Sequence, residues 1–201
     1  MTTITPLKAE QNSLDQLITE RWSPRAFQDK EIEIATLFEI FNMARWSPSS
    51  YNEQPWRFLI GKKMEGDTYR YLYKSLTDFN QSWASMAPVL ILACAKKNFT
   101  QNGKPNPHYR YDLGQIAAHL SLKALDEGIY VHQMAGFDAE QCVEQFEIPK
   151  EYEPVTIIAM GYPGEAERLE EDLQEQEEEM SKRKSVESIC FDEWNSMFFN
   201  P

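Results

Sequence analysis

Val89-Leu90-Ile91-Leu92-Ala93-Cys94-Ala95 is apolar at every position. A strand with one solvated face alternates apolar and polar residues, so a run that does not alternate predicts a strand buried at the centre of a sheet. Trp56-Arg57-Phe58-Leu59-Ile60 reads as a shorter strand before it, with a helix near residues 67–77 joining the two. Beyond it, Leu113, Ile116, Leu120 and Ala124 mark a long helix, in which Ala117 and Ala118 allow close packing and which Gly128 stops. A short strand at Ile129-Tyr130-Val131 comes next, then a helix from Asp138 to Phe146. The strand Val155-Thr156-Ile157-Ile158-Ala159-Met160 follows, ended by Gly161 and Pro163. Upstream, Ser13-Leu14-Asp15-Gln16 is a capping box that starts a short helix. Ile34, Leu37, Phe41 and Ala44 form the apolar stripe of a second helix, stopped at Ser47-Pro48.

The 201 residues, 42% of them hydrophobic, suffice for one domain spanning 1–201 with a substantial core. No apolar run approaches the ~18 residues of a membrane span, and the N-terminus lacks a basic region followed by an apolar stretch, so the expected location is cytoplasmic. Cys94, Cys142 and Cys190 are odd in number and far apart, which predicts reduced structural thiols. His108, His119 and His132 lack His-x-x-x-His spacing and read as packed or exposed side chains, with no metal expected. A formal net charge of −12 opposes nucleic-acid and anionic-membrane partners. Nine acids against Arg168 between Glu165 and Glu179 read as a solvated, mobile connector at 165–180, or alternatively as a partner-binding segment. The extension 186–199, with Phe191, Trp194, Phe198 and Phe199, is apolar enough to need burial against something. No Gly-x-Gly-x-x-Gly occurs, so a Rossmann dinucleotide site has no support.

Two clusters carry chemistry. Arg21-Trp22-Ser23-Pro24-Arg25 places two guanidinium groups and a hydroxyl within five residues, a set that forks onto phosphate oxygens, although loop arginines are also ordinary surface residues. In Ser47-Pro48-Ser49-Ser50-Tyr51-Asn52-Glu53-Gln54-Pro55-Trp56, two prolines restrict a turn dense in hydroxyls and amides. Ser49, Ser50, Asn52 and Gln54 suit the polar edge of a flat ring; the plainer reading is that they cap the turn.

With these two clusters in order, the chain resembles the nitroreductase-like flavoproteins. The resemblance extends through Phe79-Asn80, the run from Pro88 to Ala93, Asp112-Leu113-Gly114, the segment Gln133 to Asp138, Met160-Gly161-Tyr162-Pro163 and Lys182-Arg183-Lys184, nearly the whole chain. It implies an α+β sandwich, a mostly antiparallel sheet flanked by helices, in a homodimer with FMN at the subunit interface. By resemblance, Arg21, Ser23 and Arg25, with the backbone at Trp22, bind the phosphate and ribityl end. Arg183 reaches the same phosphate, unless Lys182-Arg183-Lys184 is simply a solvated basic patch. Pro48, Ser49, Ser50 and Asn52, with Gln54 on the same loop, would contact the flavin held mainly by the other subunit. Asn80 would meet the pyrimidine edge. Three residues on, many members carry a Lys near the ring N1 and O2; this chain has Trp83, which implies a lower flavin potential. Gln133, Met134, Ala135 and Gly136 would lie over the flavin with the Ala135 N–H facing N5, while Met134 reads equally well as core packing.

The implied activity is transfer of hydride from NADH or NADPH through FMN to a small-molecule acceptor such as a nitroaromatic, quinone or enone. Ping-pong kinetics are expected, with no catalytic side chain. The alternatives are a non-catalytic flavin carrier or sensor, and a specialised flavin enzyme of the same fold, a dehalogenase or ring oxidase.

Overall fold

The computed structural model describes residues 13–178 and 182–199. The capping box forms as read. Ser13 accepts from the Gln16 N–H and Gln16 reaches back to the Ser13 N–H, opening α1 (Leu14–Glu20). Next come α2 (Ile34–Ala44), β1 (Trp56–Lys62), α3 (Thr68–Ser75), α4 (Asp78–Ala84), β2 (Val89–Lys96), α5 (Tyr109–Asp126), β3 (Tyr130–Met134), α6 (Ala139–Gln145) and β4 (Tyr152–Gly161). The chain ends with α7 (Glu171–Glu178) and a hairpin of β5 (Phe191–Glu193) and β6 (Ser196–Met197).

The main sheet runs β1-β2-β4-β3, every neighbour antiparallel. As the unbroken apolar run predicts, β2 is interior and covered on both faces. Val89, Ile91, Ala93 and Ala95 turn towards Leu37, Ile40 and Ala44 of α2 and Leu113, Ile116 and Leu120 of α5. Leu90, Leu92 and Cys94 turn the other way, onto Leu72, Leu76, Trp83, Leu169 and Leu173. Burying each Leu or Ile contributes about 1.5–3 kcal/mol, and a polar residue on either face would forfeit that. The structure is thus an α+β sandwich, as the resemblance implies.

Four details differ from the sequence reading. On α2 the buried stripe is Leu37, Ile40 and Ala44, while Ile34 is exposed; this helix is apolar on more than one face, so periodicity alone does not pick the inner one. The joining region is two helices, α3 and α4. β4 begins three residues early: a bulge opposite Ala93 and Cys94 takes up Val155 as the extra residue, and Pro154, opposite Cys94, lies where β4 has no β3 partner to receive its missing N–H.

The fourth difference is the acidic stretch, which is docked rather than a free connector. Leu169 and Leu173, four residues apart, bury one face of the segment, and the charge count hides that pair. The terminal hairpin, by contrast, stays open: Trp194 is 91% and Phe198 64% exposed. No helix among the described residues is long and apolar enough to cross a membrane.

Candidate functional site

The loop from Arg21 to Gln28 leaves α1 and is fastened where β4 ends. Phe27 bridges Pro163, Gln28 donates its N–H to the Tyr162 carbonyl at 2.9 Å, and the Gly164 N–H donates to the Ala26 carbonyl at 2.9 Å. A Cβ at Gly164 would stand 2.8 Å from the Phe27 backbone, so only glycine permits this approach. Arg21 reaches Ser23 at 3.5 Å, and Ser23 is exposed. Trp22 packs edge-on against Tyr130.

Arg25 is held from within. Glu177 accepts from the backbone N–H groups of Arg25 at 2.7 Å and Ala26 at 2.9 Å, and its other oxygen lies 3.9 Å from the Arg25 guanidinium. The His132 Nδ1 sits 3.0 Å from the Pro24 carbonyl, which can only accept, so Nδ1 carries the proton. Burial pushes the imidazole below its ordinary value; the Pro24 bond opposes this, and the Arg25 charge adds to it. The Trp83 ring stacks on His132 with centroids 4.5 Å apart.

Trp83 itself is fully buried in the core. The indole therefore fills space between α4 and β3, and its Nε1 is buried with no hydrogen-bond partner among the described residues. Met134 is also a core side chain, at 3% exposure. Gln133 and Ala135 are exposed beside it. The Gly136 carbonyl accepts from Thr77 N at 3.0 Å and from the Asn80 amide at 2.9 Å. A Cβ at Gly136 would sit 2.8 Å from that amide nitrogen, so the glycine lets Asn80 close onto the strand end.

Residues 47–54 stand elsewhere. Tyr51, Asn52 and Gln54 all have φ between 51° and 55°, a left-handed geometry that costs non-glycine residues free energy and persists only when the surroundings impose it. Here both carboxylate oxygens of the buried Asp112 accept from the Ser50 N–H, at 3.1 and 3.2 Å. Ser49 Oγ accepts from Gln54 N at 3.0 Å, the Gln54 amide reaches Asn52, and Glu53 accepts from Thr100. Ser47 Oγ donates to the Ala44 carbonyl and meets His119 Nδ1 at 2.5 Å. Pro48, Tyr51 and Asn52 are left exposed.

The two loops lie at opposite ends of the sheet. The 47–54 loop feeds Trp56, which pairs with Ala95, near the Lys96–Tyr152 pair; the 21–28 loop meets the end where Lys62 pairs with Val89 and Tyr130 with Gly161. Seven residues of β1 separate those ends by roughly 20 Å at the rise of an extended strand. One chain does not bring the clusters together. A groove of about 410 Å³ between α2 and β1 contains none of the candidate residues.

Arg183 lies on an exposed segment, its Nη1 donating to the Lys182 carbonyl at 3.2 Å. Burial raises the Cys94 thiol to about 12 and also raises Cys142, which fits structural thiols. Among the described residues no group of three or more His, Cys, Asp or Glu could hold a metal ion. Sequence reasoning missed Glu177, His132 and Asp112; each acts on a residue too distant in the chain for spacing to reveal.

The donors suit a phosphate with a ring attached. Arg21 and Ser23 offer a charge-assisted bond and a hydroxyl, and the buried Arg25 Nε has no hydrogen-bond partner among the described residues, an orphan that a ligand acceptor would satisfy.

Fold and loops together define an α+β protein with an antiparallel sheet between two helical layers and a cationic loop at one sheet end. The family model described as Nitroreductase family matches residues 18–76 and 62–162. A solved oxidoreductase containing FMN is 29% identical, superposes with a TM-score of 0.85, and is matched over 97% of this chain and all of its own. An oxygen-insensitive NADPH nitroreductase of Helicobacter acinonychis is 35% identical over 107 residues, 51% of this chain and 47% of that protein. An uncharacterised 15.4 kDa protein of Mycolicibacterium smegmatis is 28% identical over 142 residues, 67% of this chain and 94% of that one. The chain belongs to the nitroreductase family, and its class is oxidoreductase.

Proposed function

We propose that this chain is an FMN-dependent oxidoreductase that works as a homodimer, taking electrons from NADH or NADPH and passing them to a small organic acceptor, a nitroaromatic, quinone or enone. The observation that carries the reading is the separation of two ligand-ready loops at opposite sheet ends. A cationic, hydroxyl-bearing loop suits a phosphate, a strained polar loop suits a ring edge, and a second copy is what brings the one opposite the other. The FMN-containing relative of nearly equal length supports the choice of cofactor.

FMN, when bound, supplies two-electron chemistry between the nicotinamide donor and the acceptor. The chain's own part is to hold and orient. Arg21 and Ser23, with Arg25, take the phosphate; Asn80 and the Gly136 strand end take the pyrimidine side; Ser49, Ser50, Asn52 and Gln54 close the site from the partner copy. Trp83, His132 and Met134 form a dry wall behind them. No side chain here needs to act as a nucleophile.

The test is anaerobic spectroscopy of the purified chain with FMN, followed by NADH, NADPH and then a quinone or nitroaromatic. Bound flavin whose absorption bleaches with one nucleotide and returns with acceptor is the expected result, with parallel double-reciprocal lines in steady state. Failure to bind FMN would overturn the reading. Bound flavin that never bleaches would point instead to a carrier or sensor.

A further inference from the structure

Glu177 is a buried acid on α7, 8% exposed, in a segment otherwise rich in exposed carboxylates. Its Oε1 accepts from the Arg25 and Ala26 N–H groups, while Oε2, 3.9 Å from the Arg25 guanidinium, is buried with no hydrogen-bond partner among the described residues. A half-satisfied buried carboxylate opposes stability, and a hydrophobic side chain would serve packing better. The same segment grips the loop twice more. Gly164 N–H donates to the Ala26 carbonyl, and the Arg168 guanidinium donates to the Phe27 carbonyl.

We propose that Glu177 is a positioning residue for the flavin phosphate. The acidic helix braces the 21–27 loop from behind, fixing the backbone at Arg25 and Ala26 and turning the Arg25 fork before the ligand arrives. This rests on the FMN reading above. The loop has no helix or strand of its own, so ordering it during folding removes that entropic cost from binding. The rival role, a resident anion that the phosphate must displace, fits poorly: Ala26 is completely buried, and a phosphate could reach its N–H only by opening the core.

The test compares FMN affinity of the full chain, read by flavin fluorescence, with amide exchange at Arg25 and Ala26 measured without flavin. Glu177→Ala removes both acceptor oxygens, Glu177→Asp draws them back by one methylene, and Glu177→Gln keeps one oxygen in reach. The Ala and Asp variants are expected to lose FMN affinity roughly tenfold or more, the scale of lost hydrogen bonds to a charged acceptor, and to lose protection of both amides. The Gln variant is expected to stay within about threefold of wild type.

An Asp variant that binds FMN as well as wild type overturns the proposal. So does tenfold tighter binding by the Gln variant, the signature of a displaced anion. If the Ala variant does not fold, the Asp and Gln pair decides. A wild-type chain that binds no FMN sinks the flavin reading instead; amide protection lost in the Asp variant would then still support the brace, and protection unchanged would overturn it.

Discussion

His132 shows how one side chain ties the candidate site to stability. Its imidazole sits between the Trp83 ring and the Pro24 carbonyl, with the Arg25 charge acting on it. Burial lowers its folded value below the ordinary 6.5. The unfolded chain then binds a proton that the folded chain resists, so the contribution of neutral His132 is complete above the unfolded value and is lost as pH falls through the folded one. NMR titration should therefore give His132 a midpoint below that of a free imidazole. Relative to His132→Gln, the wild type should lose stability as the pH falls below the ordinary imidazole value of about 6.5; a difference that stays constant as the solution is acidified would contradict the assignment. The sequence reading of this histidine, packed or exposed, left its neighbours unknown.

At the scale of an element, the 49–54 turn separates backbone strain from ligand chemistry. Asn52 has a φ of 55° and accepts from the Gln54 amide at 3.2 Å. Asn52→Ala should destabilise the fold by about 1 kcal/mol, because a Cβ without a local polar partner is disfavoured in the left-handed region. Asn52→Gly should leave stability within about 0.5 kcal/mol of wild type, since glycine adopts that geometry freely. Chemical denaturation of both variants checks the pair. If the amide meets the flavin of a second copy, both variants bind FMN more weakly, and the glycine variant does so with its fold intact. The motif's residue types were legible in sequence; its anchor Asp112, 62 residues from Ser50, was not.

For the whole molecule, the decisive feature is apolar surface left uncovered at the C-terminal hairpin. Trp194, Phe198, Ile189 and Met197 are all exposed by half or more on this one short segment, and large exposed apolar side chains gathered in this way mark an interaction surface. In the homodimer proposed above, a second copy would supply the cover and complete the site together. The full chain should sediment as a dimer. A chain ending at Lys184, which keeps Arg183 and loses the hairpin, should shift towards monomer and lose FMN affinity in parallel. A truncated chain that stays dimeric would show that the hairpin is not the contact.

What the sequence determined by itself was what local pattern can carry. The non-alternating run at Val89–Ala95 fixes a strand covered on both faces, Ser13 and Gln16 fix a helix start, and the Arg-Ser-Arg and Ser-Asn-Gln clusters set out the polar groups from which the site is proposed. Those signals arise from residues a few positions apart, where spacing equals geometry. The tertiary structure alone decided the rest. It turned Ile40 inward in place of Ile34, sank Trp83 and Met134 into the core, docked the acidic stretch through Leu169 and Leu173, and set Glu177 against Arg25 across 152 residues. It also put the two ligand-ready loops at opposite ends of one sheet. Contacts of that separation depend on how the helical layers close over the strands, and the order of residues along a chain does not encode them one at a time.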